Sequence, residues 1–167
     1  MNNKTKKLSI AGLMCAVAIV GSLFSIPVLG SKCAPVQHMV NILCAVILGP
    51  WYGVGVAFSA SLIRNILGIG SLMAFPGSMF GAFLCGVSYK MTKKISLTLL
   101  AEVFGTTILG GLFAYPIAVL IMGVNSADIA FYAYIIPFFI STLGGAIIAG
   151  ILLGLLLKMG TINKYLS

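Results

Sequence analysis

The chain has 167 residues, of which 60% are hydrophobic and 7% charged, with a formal net charge of +8 and a mean hydropathy of +1.17. A soluble domain carries roughly 25% charged residues, so this composition excludes a soluble enzyme, a disordered chain and a disulfide scaffold, and leaves an all-α polytopic membrane protein. At about 20 residues per crossing, six spans consume roughly 120 residues; no room is left for an ATP-hydrolysing domain, and no G-x-x-x-x-G-K-[ST] run is present.

The first apolar segment, Leu8–Leu29, follows Lys4, Lys6 and Lys7. It is longer than the apolar core of a signal peptide and five more segments follow, so it is expected to be retained as a helix. Small residues stand four apart along it, as Ala11-xxx-Cys15, Gly12-xxx-Ala16 and Ala18-xxx-Ser22. In lipid, helices associate by close backbone approach at such residues, either inside the bundle or against a partner that supplies the missing motor. A loop at Gly30–Ala34 leads to the second segment, Pro35–Leu48. Its start carries Gln37, His38 and Asn41, at helical spacings that bring an imidazole and two carboxamides together. These side chains are either interfacial or part of a binding pocket, and the two amides beside the histidine favour the pocket. Gly49-Pro50 breaks the helix and starts the third segment, Trp51–Leu67, with Trp51 assigned to an interfacial belt. That segment ends in Ser61, Arg64 and Asn65 on one face. Arg64 is either a snorkelling anchor or a site residue, and Lys32 reads as a plain loop residue.

The stretch from Gly68 to Gly77 opens on glycines and has an apolar middle with Phe75, suited to a lid over a pocket or to a plug of the bundle. The fourth segment is Pro76–Met91 and the fifth Ile95–Met122, separated by Lys90, Lys93 and Lys94. Within the fifth, Glu102 is the one acid inside a span, with Thr106 a turn away. It is a protonated structural acid, a proton carrier or a deep pocket wall. Past the loop at Gly123–Ile129, the sixth segment, Ala130–Lys158, carries a packing line of Ala146, Gly150 and Gly154, and Lys158 and Lys164 follow. Tyr115, Phe131, Tyr132 and Tyr134 sit at the outer ends of the last two spans, as a belt or as walls for a flat ring. Eight of the ten basic residues thus fall at every second boundary, which predicts six spans with both termini cytoplasmic. The excess of positive charge reports topology, not nucleic-acid binding. Cys15, Cys33, Cys44 and Cys85 lack metal-ligand spacing. One transmembrane domain over residues 1–167 is expected, with no metal, no cofactor of its own and no catalytic residue. An intramembrane hydrolase built on His38 lacks a serine fixed beside it, and a proton-coupled carrier using Glu102 lacks internal repeats.

Five stretches carry a resemblance to a known family: Gly30-Ser31-Lys32-Cys33-Ala34-Pro35-Val36-Gln37-His38, Gly49-Pro50-Trp51-Tyr52-Gly53, Leu62-Ile63-Arg64-Asn65, Ala74-Phe75-Pro76-Gly77-Ser78-Met79 and Glu102-Val103-Phe104-Gly105-Thr106. In these the chain resembles the substrate-binding (S) components of energy-coupling factor (ECF) vitamin transporters, and among them the ThiW type, assigned to the thiazole precursor of thiamine. The resemblance implies a six-helix bundle in a prokaryotic plasma membrane, holding its vitamin near the outer surface. It implies a separate transmembrane T component and two cytoplasmic ATPases that use the ATP, and toppling of the S component to deliver its cargo. Docking onto the T component would fall on Ala11, Gly12, Cys15 and Ala16. The implied ligand, hydroxyethylthiazole, asks for aromatic walls and hydrogen-bonding groups, expected from Gln37, His38, Asn41, Arg64, Asn65, Phe75, Tyr115, Tyr132 and Tyr134. Arg64 with Lys32 would suit a phosphorylated thiazole.

Overall fold

Two prolines and one glycine set the register of the first half of the fold. The structure, a computed structural model, describes residues 3–28 and 31–160; Leu29, Gly30 and Lys164 of the segments above lie outside them. Helix α1 (Asn3–Gly21) passes through a 3₁₀ turn (Ser22–Phe24) into strand β1 (Ile26–Val28), which pairs antiparallel with β2 (Ser31–Cys33). The expected first helix to Leu29 is therefore shorter. Pro27 has no N–H to give an α-helix, and the Ser22 hydroxyl donates to the Ile19 carbonyl at 2.6 Å, where a further turn would have bonded. Pro35 opens α2 (Pro35–Ile47) and Pro50 opens α3 (Pro50–Ile66), each at a position where the missing N–H costs nothing. Between them Gly49 has φ +90°, a conformation that glycine enters without strain, so α2 and α3 are joined by a two-residue turn.

Helix α4 (Ala74–Thr92) ends on Lys93 in the left-handed region. Then α5 (Ile95–Phe104), a π-helical turn (Gly105–Gly110) and α6 (Gly111–Leu120) follow without a break, and α7 (Ile135–Lys158) closes the fold. The last helix starts five residues later than the apolar run, because 131–134 form turns and Pro137 sits in its first turn. Lys4–Phe24, Ile95–Leu120 and Ile135–Lys158 are long and apolar enough to cross a membrane.

The molecule is apolar outside and polar within. Leu8, Leu13, Leu100, Phe113, Ile147 and Leu155 are each more than half exposed, while Gln37, Asn41, Ser61, Arg64, Glu102, Thr106 and Ser141 are buried. Water would reverse that arrangement, whereas lipid solvates the apolar exterior and leaves the polar groups to pair with one another. Apolar clusters fill the bundle on either side of α2: Ile42, Leu43 and Val46 pack with Ala149 and Leu153 of α7, and Val40 and Cys44 with Ala11 and Ala18 of α1 and Val56 and Ala60 of α3.

Candidate binding site

The first two turns of α2 bring three polar side chains to meet polar groups from α3, α4, α5 and the π-helical turn. Gln37, His38 and Asn41 are all buried on α2. The His38 Nδ1 lies 3.0 Å from Glu102 Oε1 on α5. The Asn41 amide donates to the same oxygen at 3.0 Å and to the Ser78 carbonyl of α4 at 3.1 Å. The Thr106 hydroxyl, on the π-helical turn, lies 3.2 Å from that oxygen and 3.1 Å from the Gly77 carbonyl. Glu102 Oε1 is thus an acceptor ringed by donors, and its neighbour Oε2 is buried with no partner. Gly81 makes the room: a Cβ there would stand 2.7 Å from Oε1 and collide with the Thr106 hydroxyl, so no larger residue fits beside the carboxyl group.

From Glu102 the hydrogen bonds continue through α2 to α3. The Gln37 amide donates to Asn41 Oδ1 at 3.3 Å, and Arg64 Nη1 donates to Gln37 Oε1 at 3.4 Å. Donors all point from the guanidinium toward the carboxyl group, an order that lets each dipole reinforce the next. Arg64 is only 3% exposed and its Nε has no partner. It is held inside the bundle, not on its outer face. Below it, the Ser61 and Ser78 hydroxyls lie 3.0 Å apart, with Ser78 donating to the Ala74 carbonyl at 2.7 Å.

These groups border a narrow cavity of about 40 Å³, room for roughly two or three water molecules. Gln37, His38, Arg64, Ser78, Thr106 and Ser141 line it, with Lys32, Ala34, Ala74, Gly77 and Phe138. The Ala34 N–H donates to Ser141 Oγ at 2.9 Å, which docks the start of α2 on α7 and leaves the serine's own proton to donate. With Nδ1 turned to Glu102, the other ring nitrogen of His38 is the one left for a ligand. Cys33, beside the ribbon's end, donates to the Pro137 carbonyl at 3.2 Å, and burial pushes its thiol up from the ordinary range.

Of the residues expected at a site, Gln37, His38 and Arg64 meet at the cavity. Asn41 stands directly behind them, its amide spent on Glu102 and Ser78. Asn65 does not line it; its amide donates to the carbonyls of Ser61 and Ser71 and so ties the loop after α3 to the helix. Phe75 packs its ring on Phe58 at 5.6 Å, Tyr132 is more than half exposed against Phe131, and Tyr115 is half-buried away from the cavity. Tyr134 is buried one step removed, with its ring centre 6.5 Å from that of Phe138. Among the described residues the one aromatic lining the cavity is Phe138, which sits between Pro137 and Phe139 with nothing adjacent in sequence to single it out. Lys32, read as a plain loop residue, lines the cavity and donates to the Ile69 carbonyl at 3.3 Å, linking β2 to the loop after α3. Glu102 gains the partners that a lone acid in its own span lacked.

On α1, Gly12 and Ala16 face outward, whereas Ala11 is buried and Cys15 is half-buried against α2 and α3. An open apolar groove of about 580 Å³ lies there, bordered by Leu8, Ala11, Gly12 and Cys15 on α1 and by Trp51, Tyr52, Gly55 and Ser59 on α3. Among the described residues no cluster of His, Cys, Asp or Glu could hold a metal.

The family model described as thiamine-precursor transporter protein (ThiW) matches residues 8–159. No curated protein matches the chain.

Proposed function

The chain belongs to the ThiW family of thiamine-precursor transporters, and from that premise we propose that it is the substrate-capture subunit of an ATP-driven ECF importer. It spans a prokaryotic plasma membrane six times as one transmembrane domain, with both termini in the cytoplasm, and binds a thiazole of the hydroxyethylthiazole type from outside. A T component and two ATPases supply the energy, and the chain itself is not an enzyme and carries no cofactor.

One observation supports this reading above the rest. Polar side chains from α2, α3, α4, the π-helical turn and α7, scarce in this sequence and distant along it, converge on one cavity with a single aromatic wall. A small flat heteroaromatic needs that combination: Phe138 against the ring face, and Gln37, His38 and Ser141 for the ring nitrogen and side-chain oxygen. Glu102, itself bonded by Asn41, holds His38 from behind. A thiazole is larger than the present void, so admission requires the loop after α3 and the ribbon, joined through Lys32 and Ile69, to part. The groove beside α1 is the docking face for the T component, with Gly12 on its border and the exposed Ala16 one turn further along the same helix.

Titration calorimetry of the purified protein with hydroxyethylthiazole tests the reading. Wild-type protein should bind it, and His38→Ala should weaken binding by roughly tenfold or more, the value of one hydrogen bond in a water-poor site. Unchanged affinity in His38→Ala would remove this cavity as the binding site.

A further inference from the structure

We infer that the captured thiazole is an anion, carrying a phosphate ester or a carboxylate that pairs with Arg64 and Lys32. The inference rests on the thiazole-capture reading and specifies the ligand's charge.

The chain contains two acidic residues, Glu102 and Asp128. Asp128 is exposed on the turn before α7, and Glu102 Oε1 is occupied by the donors from α2 and the π-helical turn. Arg64 therefore has no carboxylate of its own: its one hydrogen-bond acceptor among the described residues is the neutral amide oxygen of Gln37, at the long distance of 3.4 Å. Its Nε has none, although the side chain is almost wholly buried. A guanidinium taken out of water without a counter-ion is strongly disfavoured, and this one borders the cavity.

The balance of donors and acceptors around the void points the same way. Arg64 has unspent N–H groups, Lys32 has two ammonium protons beyond the one given to Ile69, and Ser141 keeps its hydroxyl proton. The acceptors facing them are the second nitrogen of His38 and the hydroxyl oxygens of Ser78 and Thr106, whose own protons go to backbone carbonyl or carboxylate oxygens. None of these carries a charge to offset the guanidinium and the ammonium, and neither does a neutral alcohol. Phosphate and carboxylate oxygens only accept, two or more at once, and match an arginine fork backed by a lysine.

The test compares four ligands on the full chain in lipid nanodiscs by calorimetry: hydroxyethylthiazole, its phosphate monoester, the same ring with a carboxymethyl group in place of hydroxyethyl, and inorganic phosphate alone. On wild-type protein at least one anionic thiazole should bind tenfold or more tightly than the alcohol, and the two anionic arms separate phosphate from carboxylate. Arg64→Gln should shrink that preference to about twofold or less. Lys32→Gln, an exposed position that folding tolerates, should narrow it. An alcohol that binds wild-type protein as tightly as both anions overturns the anion assignment and leaves thiazole capture standing. Binding of inorganic phosphate with no gain from the thiazole ring supports the anion site and overturns thiazole capture. No binding of any of the four overturns both.

Discussion

Glu102 is the residue on which three buried polar side chains converge. Its Oε1 accepts from Asn41 and lies within hydrogen-bonding distance of His38 and Thr106, three side chains with no other carboxyl group to turn to. Removing the acceptor strands buried donors, at about 1–3 kcal/mol each, whereas an amide oxygen in the same place keeps most of the bonds. Glu102→Leu should therefore lower the Tm in detergent well beyond Glu102→Gln. Equal melting temperatures for the two variants would mean that these bonds add nothing to stability. The sequence marked Glu102 as exceptional, because an acid in an apolar span needs a reason. It could not supply the partner, since His38 lies 64 residues earlier and no local spacing relates the two. Neighbouring Arg64 and Asn65 show the same limit. Adjacent helical residues are about 100° apart around the axis, so one enters the cavity while the other ties down a loop.

The elements differ in how well their ends were legible. Pro35, Pro50 and the lysines around residue 93 placed α2, α3, α4 and the continuous run from α5 through α6 within a few residues of their observed limits, because a missing N–H or a cluster of charges is a local signal. The end of α1 was not legible in hydropathy, which stays high through a strand that only pairs once β2 returns. The π-helical turn likewise has no composition of its own. It places Thr106 beside Glu102 and Gly77 in the middle of an otherwise continuous helix, and such turns recur at functional positions. Helix α1 carries its own prediction. A Cβ on Gly12 would meet nothing within 4 Å, so the fold does not require that glycine, and a leucine there improves helix propensity by roughly 1 kcal/mol. Gly12→Leu should leave thiazole affinity and Tm intact and abolish co-purification with the T component. Ala11→Leu, at a buried position, should instead destabilise the bundle by about 1–3 kcal/mol. Normal complex formation by Gly12→Leu would exclude this face as the docking surface.

At the scale of the whole molecule, an apolar exterior surrounds one buried polar network, and that network holds a single acid–histidine pair. A carrier that moves its own substrate with protons needs a path for them, and one pair flanked by carboxamides is a site without a relay. Reconstituted alone, the protein should bind a thiazole and accumulate none. Vesicles that also contain the T component and ATPases should accumulate it when ATP is supplied on the ATPase side. Uptake by the chain alone under a proton gradient, lost in Glu102→Gln, would make it a proton-coupled carrier instead.

Membrane residence, helical architecture and the approximate order of segments follow from sums over the sequence: apolar content, run length and the placement of lysines survive any detail of packing. The resemblance to ThiW-type proteins was also legible, because it rests on short local stretches of sequence. Membership of the cavity was decided only by tertiary structure. Each rod's rotation and depth choose which of its polar residues turn inward, and these are set by contacts with other rods. Packing thus brought Lys32, Phe138 and Glu102 to His38 and Arg64, while carrying Tyr115, Tyr132 and Asn65 away from them.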